Sequence, residues 1–160
     1  MKEFMTKNFE EFIAAILIVV TTLLVLMNVF FRYFLHTGIY WSEEVATSCF
    51  VWSIFIGAAG AYRQGAQLGI DLLVKKLPET ARKIVQILVQ IVLILINVFI
   101  VYLSVQYIQH TYTIKTSVLA VSSAWVSASI PVGFGLTSVY SVLGLWRMIR
   151  GFGAKEGKEG

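Results

Sequence analysis

Residues 28–46, NVFFRYFLHTGIYWSEEVA, decide how this chain folds. One long apolar run ends there at Arg32, and ten residues later Ser42, Glu43 and Glu44 open another. Two apolar runs joined by so short a link are typical of a helical hairpin, in which neighbouring helices lie side by side. The hairpin predicts that Arg32 can reach one of the two glutamates across the turn and hold the helices in register.

The composition indicates that the solvent around this hairpin is lipid. The chain has 160 residues, of which 58% are hydrophobic and only 14% are charged, whereas a soluble domain carries about 25% charged residues. So short a chain has too much surface to hide that much apolar side chain in a core of its own. Its aromatic residues lie inside the apolar runs and its Lys and Arg lie between them, which argues against a nucleic-acid partner. Cys49 is the only cysteine, so no intrachain disulfide can form.

Four apolar runs are long enough to span a membrane. About 20 residues in a helix cross the hydrocarbon core, and none of the runs shows the alternation of a barrel strand. We therefore predict an all-α integral membrane protein in which residues 1–160 form a single four-helix membrane domain, with the first run retained rather than cleaved as a signal peptide. The predicted spans are about 12–35, 44–62, 80–109 and 118–147.

Lys and Arg predict the orientation of these spans. Eleven of the 13 lie in the N-terminal segment, in the loop between spans two and three, or in the C-terminal tail. The other two loops hold only Arg32 and Lys115. By the positive-inside rule, both termini are expected on the cytoplasmic side.

The loop between spans two and three has a helical pattern. Its apolar residues recur at helical spacing from Ile70 to Leu77, and Asp71 and Lys75 form an i,i+4 pair. This pattern favours a short amphipathic helix on the inner leaflet, although a disordered basic loop stays an alternative. The side chains expected to contact lipid headgroups are Lys75, Lys76, Arg82 and Lys83. The Gly-rich segment 151–160 is expected to be a flexible cytoplasmic tail.

The predicted spans lack the residues of a catalytic or transport site. No ionisable side chain lies well inside a span, although ion and proton pathways usually require one. His36 and His110 stand alone, without a Cys or carboxylate at metal-ligand spacing. We therefore expect no catalytic residue, no cofactor and no metal site, and no enzyme activity.

Small residues mark faces on which helices can pack closely. Gly57 and Ala61 lie four residues apart, Ala120, Ala124 and Ala128 repeat at the same spacing, and Pro131 is expected to kink the fourth helix. These faces suit either the packing of a four-helix bundle or contact with another polypeptide, and the residues leave both interpretations open.

The ends of the hairpin also have local explanations. Ser42 can cap the second helix, and two carboxylates in its first turn suit the helix dipole. Tyr33, Tyr40 and Trp41 are typical of an aromatic belt at the membrane surface. One arginine needs only one glutamate, which leaves a spare carboxylate to face a partner protein.

Several motifs together resemble the small membrane subunit of tripartite ATP-independent periplasmic (TRAP) transporters. They are N-x-x-x-R-Y (Asn28, Arg32, Tyr33), W-S-E-E (Trp41, Ser42, Glu43, Glu44), G-A-A-x-A-Y-R (Gly57, Ala61, Arg63), and G-I-D-L-L with Asp71, followed by L-P. The resemblance spans about a third of the chain, and these eleven residues are the expected partner or structural interface. The chain departs from the family at Gln67 and Leu68, where the family often carries a histidine.

The resemblance implies a non-catalytic scaffold in the bacterial inner membrane. A large membrane subunit would carry the substrate and sodium sites, a periplasmic binding protein would deliver an organic anion, and phospholipid would fill gaps between the subunits. Sialic acids and four-carbon dicarboxylates are both typical substrates of the family, with a sialic acid weakly favoured. The alternatives are a self-sufficient homo-oligomeric carrier or channel, and a membrane enzyme or redox subunit.

Overall fold

A computed structural model of the protein describes residues 9–64 and 78–156. The helices are α1 (Phe9–Phe34), α2 (Tyr40–Arg63), α3 (Glu79–Thr111), α4 (Ala124–Ser127) and α5 (Ser129–Glu156). Four stretches are long and apolar enough to cross a membrane: α1, α2, most of α3, and α4 with α5 as far as Met148. The prediction of an all-α protein with four membrane-spanning helices is confirmed.

The four spans form an open row, in the order α1, α2, α5, α3. Helix α1 has backbone contacts with α2, α2 with α5, and α5 with α3, while the short α4 lies against α2, α3 and α5. Among the described residues, α1 has no backbone contact with α3 or α5. The expected four-helix bundle is therefore not closed, and a row of this kind encloses no central channel.

Small residues bring neighbouring helices of the row together. A Cβ atom added at Gly57 would lie 3.3 Å from Ala14 of α1, and one added at Gly133 would lie 2.7 Å from Phe55 of α2. The buried apolar side chains of the described residues are three alanines, Ala46, Ala59 and Ala124. Backbones can approach this closely only where side chains are small, which is how membrane helices associate without a hydrophobic driving force.

The fourth span begins later than predicted. It starts at Ala124 rather than at residue 118, because the preceding residues fold into a hairpin-like loop in which Lys115 and Ser122 form an antiparallel bridge. Ala120 has a positive φ of 52° in this loop, so the predicted stripe of three alanines does not share one helix face. We name residues 112–123 the bridged loop.

A break precedes Pro131 in the fourth span. Helix α4 ends at Ser127, α5 starts at Ser129, and Pro131 occupies the first turn of α5. Proline has no N–H to offer the carbonyl four residues before it, so an interruption at this place is expected. The predicted kink is realised as a short break.

Some predicted features lie partly or wholly outside the described residues. The amphipathic helix of residues 70–77, with Asp71, Lys75 and Lys76, is outside them, as are residues 157–160. Helix α5 continues to Glu156, six residues into the segment expected to be a flexible tail. Lys155 and Glu156 are good helix formers, whereas Gly151 and Gly153 are poor ones, so propensity does not explain this extension.

Candidate interaction site

The short turn between α1 and α2 is closed by Asn28. Its Oδ1 accepts a hydrogen bond of 3.0 Å from the backbone N–H of Ile39, the residue that precedes α2. Residues at a helix N-terminus leave backbone N–H groups without a partner in the helix, and an amide from the neighbouring helix supplies one here. Asn28 therefore fixes where the second helix begins. Its hydrogen bond across the turn explains why the link between α1 and α2 is so short.

Ser42 does not cap α2 as predicted. The helix begins at Tyr40, so Ser42 already lies in its first turn, fully buried. Its hydroxyl donates a 2.8 Å hydrogen bond back to the carbonyl of Ile39 rather than accepting one from an N–H group. The serine therefore tightens the first turn, and the asparagine across the hairpin does the capping.

The predicted ion pair across the hairpin is also absent. The only ion pair among the described residues joins Arg63 to Glu10, and Arg32 is exposed at the end of α1. Aromatic side chains surround this end and are exposed as well, at 75% for Tyr33, 76% for Tyr40 and 47% for Trp41. We name this end of the row, with the turn 35–39 and the bridged loop, the hairpin end.

Glu44 instead binds the bridged loop. Its two carboxylate oxygens accept backbone N–H groups of Val118, at 3.3 Å, and Leu119, at 2.8 Å. Hydrogen bonds to a carboxylate are stronger than neutral ones, and these two reach across 74 and 75 residues of sequence. Glu44 thus attaches the connection between α3 and α4 to the first turns of α2.

A groove runs between α1 and α2 near the hairpin end. Its volume is about 350 Å³, and its polar lining includes Thr21, Asn28, Glu43 and Thr47 among mainly apolar residues. Glu43 is exposed, and its carboxylate has no ion-pair or hydrogen-bond partner among the residues that the structure describes. We name this feature the α1–α2 groove.

A charged cluster joins three helices at the opposite end of the row, which we name the terminal end. Glu10 of α1 is buried, with 8% of its surface exposed, and its carboxylate lies 3.2 Å from the guanidinium of Arg63 in α2. The hydroxyl of Tyr140 in α5 donates a hydrogen bond to the same carboxylate. A charge this buried is tolerated only with such partners, so the cluster holds the edge helix α1 against the row.

An uncharged hydrogen-bond network lies beside this cluster, and two of its members, Tyr62 and Ser141, are the sequence neighbours of Arg63 and Tyr140. Ser141 donates a 2.6 Å hydrogen bond to the hydroxyl oxygen of Tyr62. The Gln90 amide donates to that oxygen and to the backbone carbonyl of Ser141, both at 2.9 Å. These three residues come from α2, α5 and α3, so the network and the charged cluster together connect all four spans.

The remaining residues of the predicted interface and of the predicted headgroup contacts lie in different surroundings. Gly57 faces α1, as expected of a packing position, whereas Ala61 is exposed. Arg82 lies partly exposed near the start of α3, and Lys83 follows it in the same helix. Asp71, Lys75 and Lys76 lie outside the described residues, so their predicted roles stay predictions.

The polar clusters are suited to holding helices together rather than to chemistry on a substrate. Within residues 9–64 and 78–156, no group of three or more His, Cys, Asp and Glu side chains could hold a metal ion. Glu10, Arg63, Arg32 and Glu44 all lie in the first or last turns of their helices or close to them. The sequence analysis overlooked the partnership of Glu10 with Tyr140, because nothing in the local pattern links residues 130 positions apart.

Comparison with known proteins gives the chain a family. A family model for the DctQ component of tripartite ATP-independent periplasmic transporters matches residues 21–151. A protein of Haemophilus influenzae named as a TRAP transporter small permease protein is 34% identical over 116 residues, which are 72% of this chain and 70% of the relative. The sialic acid TRAP transporter small permease protein SiaQ of Vibrio cholerae is 29% identical over 79% of this chain and 73% of its own.

Two further relatives differ in substrate or in length. The C4-dicarboxylate TRAP transporter small permease protein DctQ of Vibrio cholerae is 32% identical, over 49% of this chain and 34% of its own length. The sialic acid TRAP transporter permease protein SiaT of Haemophilus influenzae is 24% identical over 77% of this chain, but over only 20% of its own length.

Proposed function

The chain belongs to the DctQ-component family and is a small permease subunit of a TRAP transporter, a multi-pass membrane protein and not an enzyme. From this premise we propose that it acts as a scaffold. It binds the large, substrate-translocating subunit side-on in the bacterial inner membrane. The complex takes up an organic anion, driven by sodium and supplied by a periplasmic binding protein.

The observation that carries this proposal is the open row of helices. A carrier needs an enclosed path or an ionisable site at membrane depth, and within residues 9–64 and 78–156 the open row supplies neither. The row does supply a wide surface that the rest of the described chain leaves uncovered, since none of the residues in the most apolar part of α1 is buried. A protein with much surface and no path is suited to supporting a second protein that has one.

The match to a longer permease supports the nature of that second protein. The part of SiaT that resembles this chain is only a fifth of its length, so in that relative the equivalent helices share one polypeptide with a much larger permease. We propose that this chain makes the corresponding contact without a covalent link. Lys and Arg predict that the termini, and with them the cluster of Glu10 and Arg63, face the cytoplasm. The hairpin end then faces the binding protein.

The substrate is proposed only as a class. Relatives named for a sialic acid and for C4-dicarboxylates both match, and the sialic acid relative is matched over the larger share of this chain. An organic anion with at least one carboxylate is common to both names, and a sialic acid is the weakly favoured member. The residues of this chain would not touch it.

Reconstitution tests the proposal directly. Proteoliposomes would contain this chain alone, the large subunit from the same gene cluster alone, or both, and each would be given the binding protein, a sodium gradient and radiolabelled sialic acid or succinate. Uptake is expected only where the large subunit is present, and it should rise when this chain is added. Phospholipid that co-purifies with the complex would be identified by mass spectrometry.

Two outcomes would contradict the proposal. Sodium-driven uptake by this chain alone would favour the alternative of a self-sufficient homo-oligomeric carrier. Failure of the two chains to co-purify, with equal uptake in the presence and absence of this chain, would remove the scaffold role. A chain denatured by heating before reconstitution is the control for unspecific leakage.

A further inference from the structure

The α1–α2 groove lies along the contact between the two helices, nearer to the hairpin end than to the terminal end. At the terminal end, a Cβ atom added at Gly60 would lie 3.2 Å from the Glu11 side chain, and one added at Gly57 would lie 3.3 Å from Ala14. Nearer the hairpin end the helices are still in contact, since Thr21 Oγ1 donates a 3.4 Å hydrogen bond to the carbonyl of Ala46, and the groove of about 350 Å³ runs along the surface beside that contact. Ser42 and Ala46, at 0% and 4% exposure, lie at its floor, while its walls stay open.

The same side of α2 stays uncovered beyond the groove. Thr47, Phe50, Ile54, Ala58 and Ala61 are all exposed, and their spacing of three and four residues places them on one face of the helix. At the terminal end, this face consists of the small side chains of Ala58 and Ala61. Small side chains allow another helix to approach the backbone of α2 closely. Lipid tails adapt to a surface of any shape, so small side chains bring no comparable advantage to contact with lipid.

One carboxylate at the mouth of the groove, that of Glu43, is without a partner among the described residues. Glu44 is bound by the bridged loop, and Glu10 is bound by Arg63 and Tyr140. Glu43, which lines the groove, has no such partner among the described residues. A carboxylate at the edge of a membrane span attracts a cationic group, since the pair is less screened there than in bulk water.

We propose that one transmembrane helix of the large permease subunit lies in the α1–α2 groove and along the exposed face of α2. It would carry a basic side chain near its external end that pairs with Glu43. This inference rests on the proposed function and adds the contact surface to it. The opposite edge of the row, formed by α3, then faces lipid.

Two phenylalanines provide a matched test of this surface. Phe50 lines the groove and is 45% exposed, whereas Phe99 lies on the edge helix α3 and is 61% exposed. Each would be replaced in turn by the photo-crosslinking amino acid p-benzoylphenylalanine, which keeps the benzyl group and whose added benzoyl group an open surface can accommodate. The full complex would be co-expressed, irradiated in membranes, purified through a tag on this chain and probed for the large subunit.

We expect a product with the large subunit from position 50 and none from position 99. A product from position 99, with or without one from position 50, would overturn the inference, because α3 is expected to face lipid. No product from either position in an intact complex would also overturn it and would leave lipid as the occupant of the groove.

Charge reversal tests the pairing separately. Glu43→Lys is expected to lower recovery of the large subunit about fivefold, the size that one exposed ion pair can reach. Lys115→Gln removes another exposed charge at the same end and should leave recovery unchanged. Equal recovery with Glu43→Lys would overturn the pairing. If the unmodified chain itself fails to co-purify with the large subunit, the proposed function falls and this inference with it, whereas intact complexes without the expected product contradict the inference alone.

Discussion

Replacing Gly133 with alanine should push α2 and α5 apart. The new Cβ atom would lie 2.7 Å from the Cβ of Phe55 and 2.9 Å from its backbone oxygen. Bringing the shorter contact to 3.4 Å requires a separation of about 0.7 Å, and a backbone atom cannot rotate away as the end of a side chain can. Overpacking of this kind costs about 1–3 kcal/mol. The shift would also strain the hydrogen bonds from Ser141 and Gln90 that join these helices further along.

Gly135→Ala is the matched control for this substitution. It lies two residues further in the same helix, and nothing lies within 4 Å of the Cβ that it would gain. Both changes gain the same helix propensity, about 1 kcal/mol, so the difference between them isolates the contact with α2. We expect the isolated Gly133→Ala chain to be less stable than the Gly135→Ala chain by about 1–3 kcal/mol, measured by SDS-induced unfolding in bicelles. Equal stability of the two variants would refute the close contact of α2 with α5 at Gly133.

Three further changes examine the polar contacts. Tyr62→Phe should destabilise the chain by about 1–3 kcal/mol, because it removes the hydroxyl that the Gln90 amide and Ser141 use. Tyr102→Phe, whose exposed hydroxyl bonds only within α3, should change stability little, and equal effects in SDS unfolding would refute the network. Glu44→Gln weakens a charge-assisted hydrogen bond to the amide of Leu119, which should then exchange its hydrogen faster; unchanged exchange would contradict the attachment of the loop. Glu10→Gln should cost about 1–3 kcal/mol by leaving a half-buried arginine without its charge partner, and no loss on SDS unfolding would argue against the cluster.

The membrane spans could be predicted from the sequence because lipid imposes one rule everywhere. Backbone groups in hydrocarbon must bond within their own segment, so a long apolar run becomes a helix of matching length. The predicted spans for α1, α2 and α3 accordingly end within a few residues of the helices. The rule fails at residues 118–123, which are apolar enough to pass as part of a span. In the loop that they form, Glu44 accepts the N–H groups of Val118 and Leu119, a partner that no hydropathy pattern reveals.

The side-chain partners were harder to predict, because two side chains that are close in sequence do not necessarily point towards each other. Arg32 and the two glutamates were expected to pair, since the turn is short. The turn is instead closed by the amide of Asn28, which bonds the Ile39 backbone, and Glu44 points to the bridged loop. Nothing in the sequence near Glu10 indicates its partner, and its bond to Tyr140 appears only once α5 is placed beside the row.

The location of the polar contacts bears on which part of a transporter can move. Helices in lipid gain little from burying apolar surface against each other, so their relative positions depend on close packing and on hydrogen bonds. In this row, polar contacts at one end attach the bridged loop to Glu44, and those at the other end join the helices at Glu10 and Tyr62. Between the two ends lie glycine and alanine contacts and the hydrogen bond from Thr21 to Ala46. Such a row resists sliding of any one helix, because a shift of one turn would break contacts at both ends together. A row held in this way offers a fixed surface to a partner, which suits the scaffold role that we propose.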